Sequence, residues 1–328
     1  MTVSRILFCA LLALLPVLPL DPPRRPDEGT SPSGSRTSPR RPWPRRPPSL
    51  LRLRSESALV ADDATQEILF EKNADEVRPI ASLTKVMTGL VVLESGQSLS
   101  EAVTVTEEDV DTLKHSASHL PVGWTLTRGE LLRIALTASD NRAAHALARA
   151  YPGGVEAFVR AMNAKAAALG MGKTRYVDPT GLDPANVSTA RDLLLLAREV
   201  RRHETLEEMG RTALLEVREL TSGRGRIFGN SNGLIHDPAW DIRFTKTGYI
   251  LESGYCLLMR PFLGDRTFTF VFLGAAGKDS RLGDARRTRT WLLGGEGGGG
   301  GRRAEGGRGG SQGSSRRAGG PSSNRPMG

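Results

Sequence analysis

"RPIASLTKVMTGLVVLESG", Arg78 to Gly96, joins two halves with different demands. The second half reads as an amphipathic helix, with Val86, Leu90 and Leu93 recurring at helical spacing. At its amino end Ser82 and Lys85 sit three residues apart and share one face. A serine hydroxyl is a weak nucleophile until a base removes its proton as it attacks. A lysine is such a base only when burial or neighbouring positive charge lowers its pKa. The helix amino end also aims N–H groups and positive dipole at whatever reacts there. Ser82-Leu-Thr-Lys85 is therefore a candidate nucleophile–base pair, although alone such a tetrad is usually a capping serine beside a solvated lysine.

Two later motifs change that balance. Ser139-Asp140-Asn141 falls between two helical patterns, where a break can present a hydroxyl and an amide to a cleft. Lys246-Thr247-Gly248 closes a strand-like run, and its glycine would let a substrate backbone lie alongside. S-x-x-K, S-D-N and K-T-G in this order are the signature of serine β-lactamases and penicillin-binding proteins. Each later motif alone is a helix cap or a strand-end turn. The three together are specific.

The resemblance extends beyond motifs. From about Ala58 to Leu292 the chain resembles the low-molecular-weight penicillin-binding proteins, nearest to their D-alanyl-D-alanine endopeptidase type, penicillin-binding protein 7. It rests on "VRPIASLTKVMTGLVVL", "NRAAHALARAYPGGVEAFVRAMNAKAAALGM", "TRYVDPTGL", "NVSTARDL", "TKTGY" and "DARRTRTWL". The resemblance implies a penicillin-binding-protein and serine β-lactamase-like fold with the site in a cleft between sheet and helices. It implies a serine peptidase acting on D-alanyl bonds of peptidoglycan stem peptides and cross-links, with β-lactams as covalent inhibitors and no cofactor or metal. Ser82 would match the acylated nucleophile and Lys85 its proton acceptor. Ser139 would relay protons and Asn141 hold the substrate amide. Lys246 and Thr247 would bind the substrate's terminal carboxylate or the equivalent group of a β-lactam, Gly248 would let the substrate backbone lie alongside, and the N–H groups of Ser82 and Tyr249 would form the oxyanion hole. Endopeptidase and carboxypeptidase action both fit, as does, more distantly, a silent wall-binding protein. All the reactive groups are present, which favours an enzyme. No residue stands out as a separate deacylation base, so efficient β-lactamase activity is not expected. The amphipathic carboxyl-terminal anchor of related carboxypeptidases is not expected either, because Trp291-Leu-Leu runs straight into glycine and arginine.

Composition divides the 328 residues into a core and two biased ends. Residues 21–54 hold nine prolines and nine arginines, and 294–328 are mostly Gly, Ser and Arg. Neither offers enough apolar periodicity to offset ordering entropy, so both are expected to be disordered around a 55–293 peptidase domain. The first end carries nine arginines against three acids, the second six against two, and Arg5 adds one more. Removing these from the formal +9 leaves about −2 on the core. The basic balance thus belongs to the ends, and a nucleic-acid footprint on the core is not supported. An apolar run from Ile6 to Leu20 behind Arg5 reads as a signal peptide over 1–20, cleaved or retained as an anchor. Beyond Cys9 in that run only Cys256 remains, so the mature chain forms no internal disulfide, which suits an exported, periplasmic protein in loose contact with wall or membrane.

Within the core the patterns are α+β. "ESALVADDATQEILFEKNAD" predicts a hairpin breaking at Asp62–Thr65, and "AVTVT" a short strand. Thr127 and Glu130 form a capping box for a helix ending near Ser139, two more helices follow, and Ser188 is the expected N-cap of "STARDLLLLAREVRR". "DIRFTKTGYI", "YCLLMRPFLG" and "TFTFVFLGAAG" predict antiparallel strands, and "DSRLGDARRTRTWLL" a closing helix. Two decoys remain. "GNSNG", Gly229 to Gly233, satisfies G-x-S-x-G, with His236 and Asp237 behind it, but no helical pattern follows the serine and a polar loop facing the cleft is the better reading. His115 and His119 have zinc-pair spacing, yet "HSASH" lacks a glutamate between them and an obvious third ligand, so they read as surface histidines.

Overall fold

A computed structural model describes residues 47–294. The 1–20 signal segment, most of 21–54 and all but the first residue of 294–328 lie outside the described residues. The alternating hairpin is β1 (Ser57–Asp62) with β2 (Ile68–Lys72). Strand β3 (Arg78–Pro79) leads through a 3-10 turn at Ala81–Leu83 into α1 (Thr84–Glu94). Strands β4 (Ala102–Thr104) and β5 (Thr125–Thr127) pair across a long connection. Helices α2 (Arg128–Thr137), α3 (Asn141–Arg149) and α4 (Gly154–Ala168) follow. Then come β6 (Val187–Ser188), paired with β3, and helices α5 (Ala190–Val200) and α6 (Glu204–Arg211). A hairpin of β7 (Leu214–Arg218) and β8 (Gly225–Gly229) precedes β9 (Asp241–Ile250), β10 (Gly254–Leu263), β11 (Arg266–Ala275) and α7 (Lys278–Leu293).

The central sheet has the order β2–β1–β11–β10–β9 and is antiparallel throughout, with Ser57 opposite Leu273 and Asp62 opposite Phe268 where the last strand returns to the first. Both faces are covered, which is why β10 and β11 read as almost unbroken apolar runs. Leu59, Leu258, Val271 and Leu273 face a large core shared with the helical block. Val60, Met259, Phe270 and Phe272 face a smaller core closed by Leu282, Ala285 and Trp291 of α7. The mixed α+β architecture matches the sequence reading.

Three details differ from it. Helix α1 is buried from Thr84 to Val92 rather than amphipathic, because other helices enclose it and leave it no solvent face. Fully burying Val86, Met87 and Leu90 stabilises the block by about 1.5–3 kcal/mol per side chain. The N-cap of α5 is Thr189, whose side chain accepts from Asp192 N, since Ser188 is held in β6 opposite Arg78. Packing also begins before residue 55. Leu51 and Leu53 are buried in the smaller core, and the Asp284 carboxylate accepts from Arg54 N at 2.9 Å, Ser55 N at 2.7 Å and Ser55 Oγ at 2.6 Å. The last helix thereby clamps the entering chain.

Candidate active site

Ser82 lies in the 3-10 turn, and Lys85 in the first turn of α1. Side chains three residues apart eclipse in a 3-10 turn, so the tight start aligns the two groups. Lys85 Nζ lies 2.9 Å from Ser82 Oγ, 2.6 Å from Asn141 Oδ1 and 2.7 Å from the Thr180 carbonyl oxygen. As an ammonium, Lys85 donates to all three. As a neutral amine it keeps two hydrogens, which the Asn141 and Thr180 oxygens take, and its lone pair is left for the Ser82 hydroxyl. Burial favours that neutral form: it pulls the Lys85 pKa down to about 8, against the opposing attraction of Asp178, Asp140 and Asp111. A general base needs a pKa near the working pH, and this environment supplies one.

The turn is held under constraint. Ala81 has φ 46°, a left-handed conformation unusual for a residue with a side chain. Gly181, at φ 83°, passes so close that a Cβ there would stand 1.9 Å from the Ala81 carbonyl oxygen. The segment that supplies the Thr180 carbonyl to Lys85 therefore also presses on the Ser82 turn.

Ser139 sits between α2 and α3, itself left-handed at φ 61°. Asp140 is the N-cap of α3, its side chain accepting from Ala143 N at 2.9 Å, and Asn141 is the first helical residue. The break in the helices thus turns Ser139 and Asn141 toward the Ser82 turn. From the sheet side, Lys246 Nζ donates to Ser139 Oγ at 2.7 Å and to the Thr247 carbonyl at 2.8 Å. Burial, and after it the charges of Lys85 and Arg281, hold the Lys246 pKa well below the lysine range. Thr247 Oγ1 lies 2.7 Å from Ser231 Oγ. Gly248 is the point of closest approach: a Cβ there would lie 3.0 Å from both Ser82 N and the Ile80 carbonyl oxygen. Its close neighbour is the Ser82 turn, rather than an open substrate track, so the glycine lets the edge strand β9 dock on that turn. Tyr249 is half-exposed beyond it and stacks on Tyr255 with ring centroids 4.2 Å apart.

Ser82, Lys85, Ser139, Asn141, Lys246, Thr247 and Gly248 all come together at the seam of sheet and helices, and Tyr249 lies next along β9. The decoy "GNSNG" contributes after all, though not as an elbow: Ser231 is in a loop whose hydroxyl meets Thr247, and Asn232 caps a short 3-10 turn at Gly233–His236. His115 and His119 are exposed in a loop, so their four-residue spacing does not place them on one helix face. Thr180 was not foreseen as a site residue, because a backbone carbonyl leaves no residue-type signal.

A buried lysine next to a serine on one turn, with no histidine among its partners, belongs to the active-serine enzymes that work without a histidine base. A sequence model of peptidase family S11, D-alanyl-D-alanine carboxypeptidase, matches residues 44–277, and the chain belongs to that family. It is a serine-type D,D-peptidase. It is 44% identical over 240 residues to a D-alanyl-D-alanine endopeptidase of Pseudomonas aeruginosa, covering 73% of this chain and 77% of that protein. A D-alanyl-D-alanine endopeptidase of Escherichia coli is 38% identical over 238 residues, with the same shares covered, 73% and 77%. The crystal structure of the Streptomyces K15 DD-transpeptidase aligns with a TM-score of 0.69 at 28% identity, covering 74% of this chain and 98% of that one.

Proposed function

We propose that this peptidase opens peptide cross-links of peptidoglycan through an acyl-enzyme on Ser82. Neutral Lys85 accepts the Ser82 proton as Oγ attacks the D-alanyl carbonyl carbon. The oxyanion is received by the N–H groups of Ser82 and Tyr249, a kind of contact that contributes about 3–4 kcal/mol to the transition state. The C–N bond then breaks, the departing amine takes the proton held by Lys85, relayed through Ser139, which leaves Lys85 neutral and an ester on Ser82. Water cleaves the ester and returns the proton to Ser82. Asn141 holds the substrate amide, while Lys246 and Thr247 receive the carboxylate beside the departing amine.

The observation that carries this reading is the 2.9 Å contact between Ser82 Oγ and a lysine whose pKa burial has lowered to about 8. Cross-links are preferred to free stem ends because the more similar relatives named above are endopeptidases. By comparison, a Bacillus subtilis D-alanyl-D-alanine carboxypeptidase is 31% identical and this chain covers 58% of it. Trimming of uncross-linked stems is the second reading, and it has the family's own description behind it. The apolar run at Ile6–Leu20 supports export to the periplasm.

Two assays test this. Incubation with benzylpenicillin should add one adduct mass to the wild type and none to Ser82→Ala; an adduct that persists in Ser82→Ala removes Ser82 as nucleophile. Purified cross-linked and uncross-linked muropeptides, offered in parallel, should show faster turnover of the cross-linked form, and the reverse order would make the protein a carboxypeptidase.

A further inference from the structure

The "HSASH" loop places the two serines between its histidines, Ser116 and Ser118, against the second motif. Ser116 Oγ accepts a hydrogen bond from Asn141 Nδ2 at 2.7 Å. Its backbone N–H donates to Asp111 Oδ2 at 2.8 Å, and Ser116, with the N–H groups of Lys114 and Leu113, holds the Asp111 pKa below its usual value against the opposing effect of burial. His115, left-handed at φ 53°, makes the turn that brings Ser116 back toward α3. Two residues on, Ser118 Oγ donates to Asp140 Oδ2 at 2.7 Å. Both serines thus grip the Ser139-Asp140-Asn141 motif, Ser116 at the amide and Ser118 at the helix cap.

The grip on Asn141 has a chemical consequence. The two ends of an amide are alike in shape and opposite in hydrogen-bonding character. With Nδ2 donating to Ser116 Oγ at 2.7 Å, the Asn141 amide is turned so that Oδ1 faces Lys85 Nζ at 2.6 Å. That oxygen and the Thr180 carbonyl occupy both hydrogens of neutral Lys85. Were the amide reversed, Nδ2 would donate to the Lys85 lone pair and compete with the Ser82 hydroxyl for it. We propose that Ser116, anchored by Asp111, is a positioning residue for acylation that fixes the Asn141 amide and so keeps the Lys85 lone pair on Ser82. This rests on the assignment of Ser82 and Lys85 as nucleophile and base.

A reversed amide also presents a donor where the ammonium needs an acceptor. The carboxylates of Asp178, Asp140 and Asp111 still stabilise the Lys85 charge, and its coupling to Lys246 is unchanged. Loss of Ser116 therefore lowers the midpoint of the acid limb while lowering the plateau rate, a combination that simple loosening of the loop does not produce.

The test is the second-order rate of Ser82 acylation by benzylpenicillin from about pH 6 to about pH 10, bracketing the expected lysine titration. It is measured for wild type, Ser82→Ala, Ser116→Ala, Ser116→Val, Ser116→Thr and Ser118→Ala. Thr and Val have the same shape and differ in the hydroxyl. One hydrogen bond is worth about tenfold, so Ser116→Ala and Ser116→Val should acylate about tenfold more slowly with a midpoint shifted to lower pH. Ser116→Thr should return to within about threefold of wild type, and Ser118→Ala should keep the wild-type midpoint. Wild-type rates and midpoints in Ser116→Ala and Ser116→Val would overturn the proposal. So would equal slowing in Ser116→Thr and Ser116→Val with an unmoved midpoint. Labelling of Ser82→Ala at the wild-type rate would instead bring down the nucleophile assignment beneath it.

Discussion

Lys246 donates from Nζ to Ser139 Oγ over 2.7 Å, tying the third motif to the second. Lys85 stands in the same relation to Ser82, at 2.9 Å. The two serine–lysine pairs look alike and differ in chemistry. Lys85 has acceptors for two hydrogens and a lone pair aimed at a nucleophile, whereas Lys246 is proposed to receive the substrate carboxylate. In the free protein burial and the neighbouring cations push Lys246 toward neutrality; a bound carboxylate pushes it back toward the ammonium.

Lys246→Arg keeps a cation at that position but cannot reproduce the compact ammonium. The variant should still acylate, with the loss appearing mainly as weaker apparent affinity for penicillin and peptide. Saturation kinetics of acylation check this. A variant with unchanged affinity and a collapsed limiting rate would mean that Lys246 acts in proton transfer.

Gly181→Ala puts a Cβ where the Ala81 carbonyl oxygen stands 1.9 Å away, at a φ of 83° that alanine rarely adopts. The Ser82 turn and the Thr180 carbonyl must both shift. Acylation by penicillin should fall by at least about a hundredfold, since even 1 Å of misplacement costs that much. Folding should persist, as seen by circular dichroism. Near-normal acylation would show that the turn is not held by this contact.

Much of this was legible in the sequence, and the exceptions share a physical origin. The hairpin at Asp62–Thr65 and the Thr127–Glu130 capping box are local patterns that the structure forms, and it also brings the residues of the three motifs to one seam. Burial of α1 is set by its neighbours, not by its own spacing, so Val86, Leu90 and Leu93 suggested a surface helix. Helix α6 and the β7–β8 hairpin received no element in the sequence reading, because their short segments mix charged and apolar residues. Thr180 acts through its carbonyl, and Ser116 and Ser231 act from loops, where no periodicity marks a side chain.

The entering chain offers a stability prediction. Asp284→Ala leaves Arg54 N, Ser55 N and Ser55 Oγ without their buried acceptor, at a cost of about 3 kcal/mol, or roughly 6–12 °C in Tm for a domain of this size. Trimming the chain to begin at Ser55 also removes Leu51 and Leu53 from the smaller core and should lower Tm further than trimming to Pro47. Thermal unfolding measures all three. Equal melting of the two trimmed forms would mean that the segment adds nothing to the core.

The central claim is that neutral Lys85 is the base for Ser82, and its most direct test is the second-order rate of Ser82 acylation by benzylpenicillin against pH in wild type and Lys85→Arg. The neutral amine does the work, so the wild-type rate should rise with pH and level off above about 8. Arginine cannot give up its proton at these pH values, and Lys85→Arg should show no acylation at any of them. Acylation of Lys85→Arg as fast as that of Lys246→Arg, with the wild-type pH limb intact, would contradict the account.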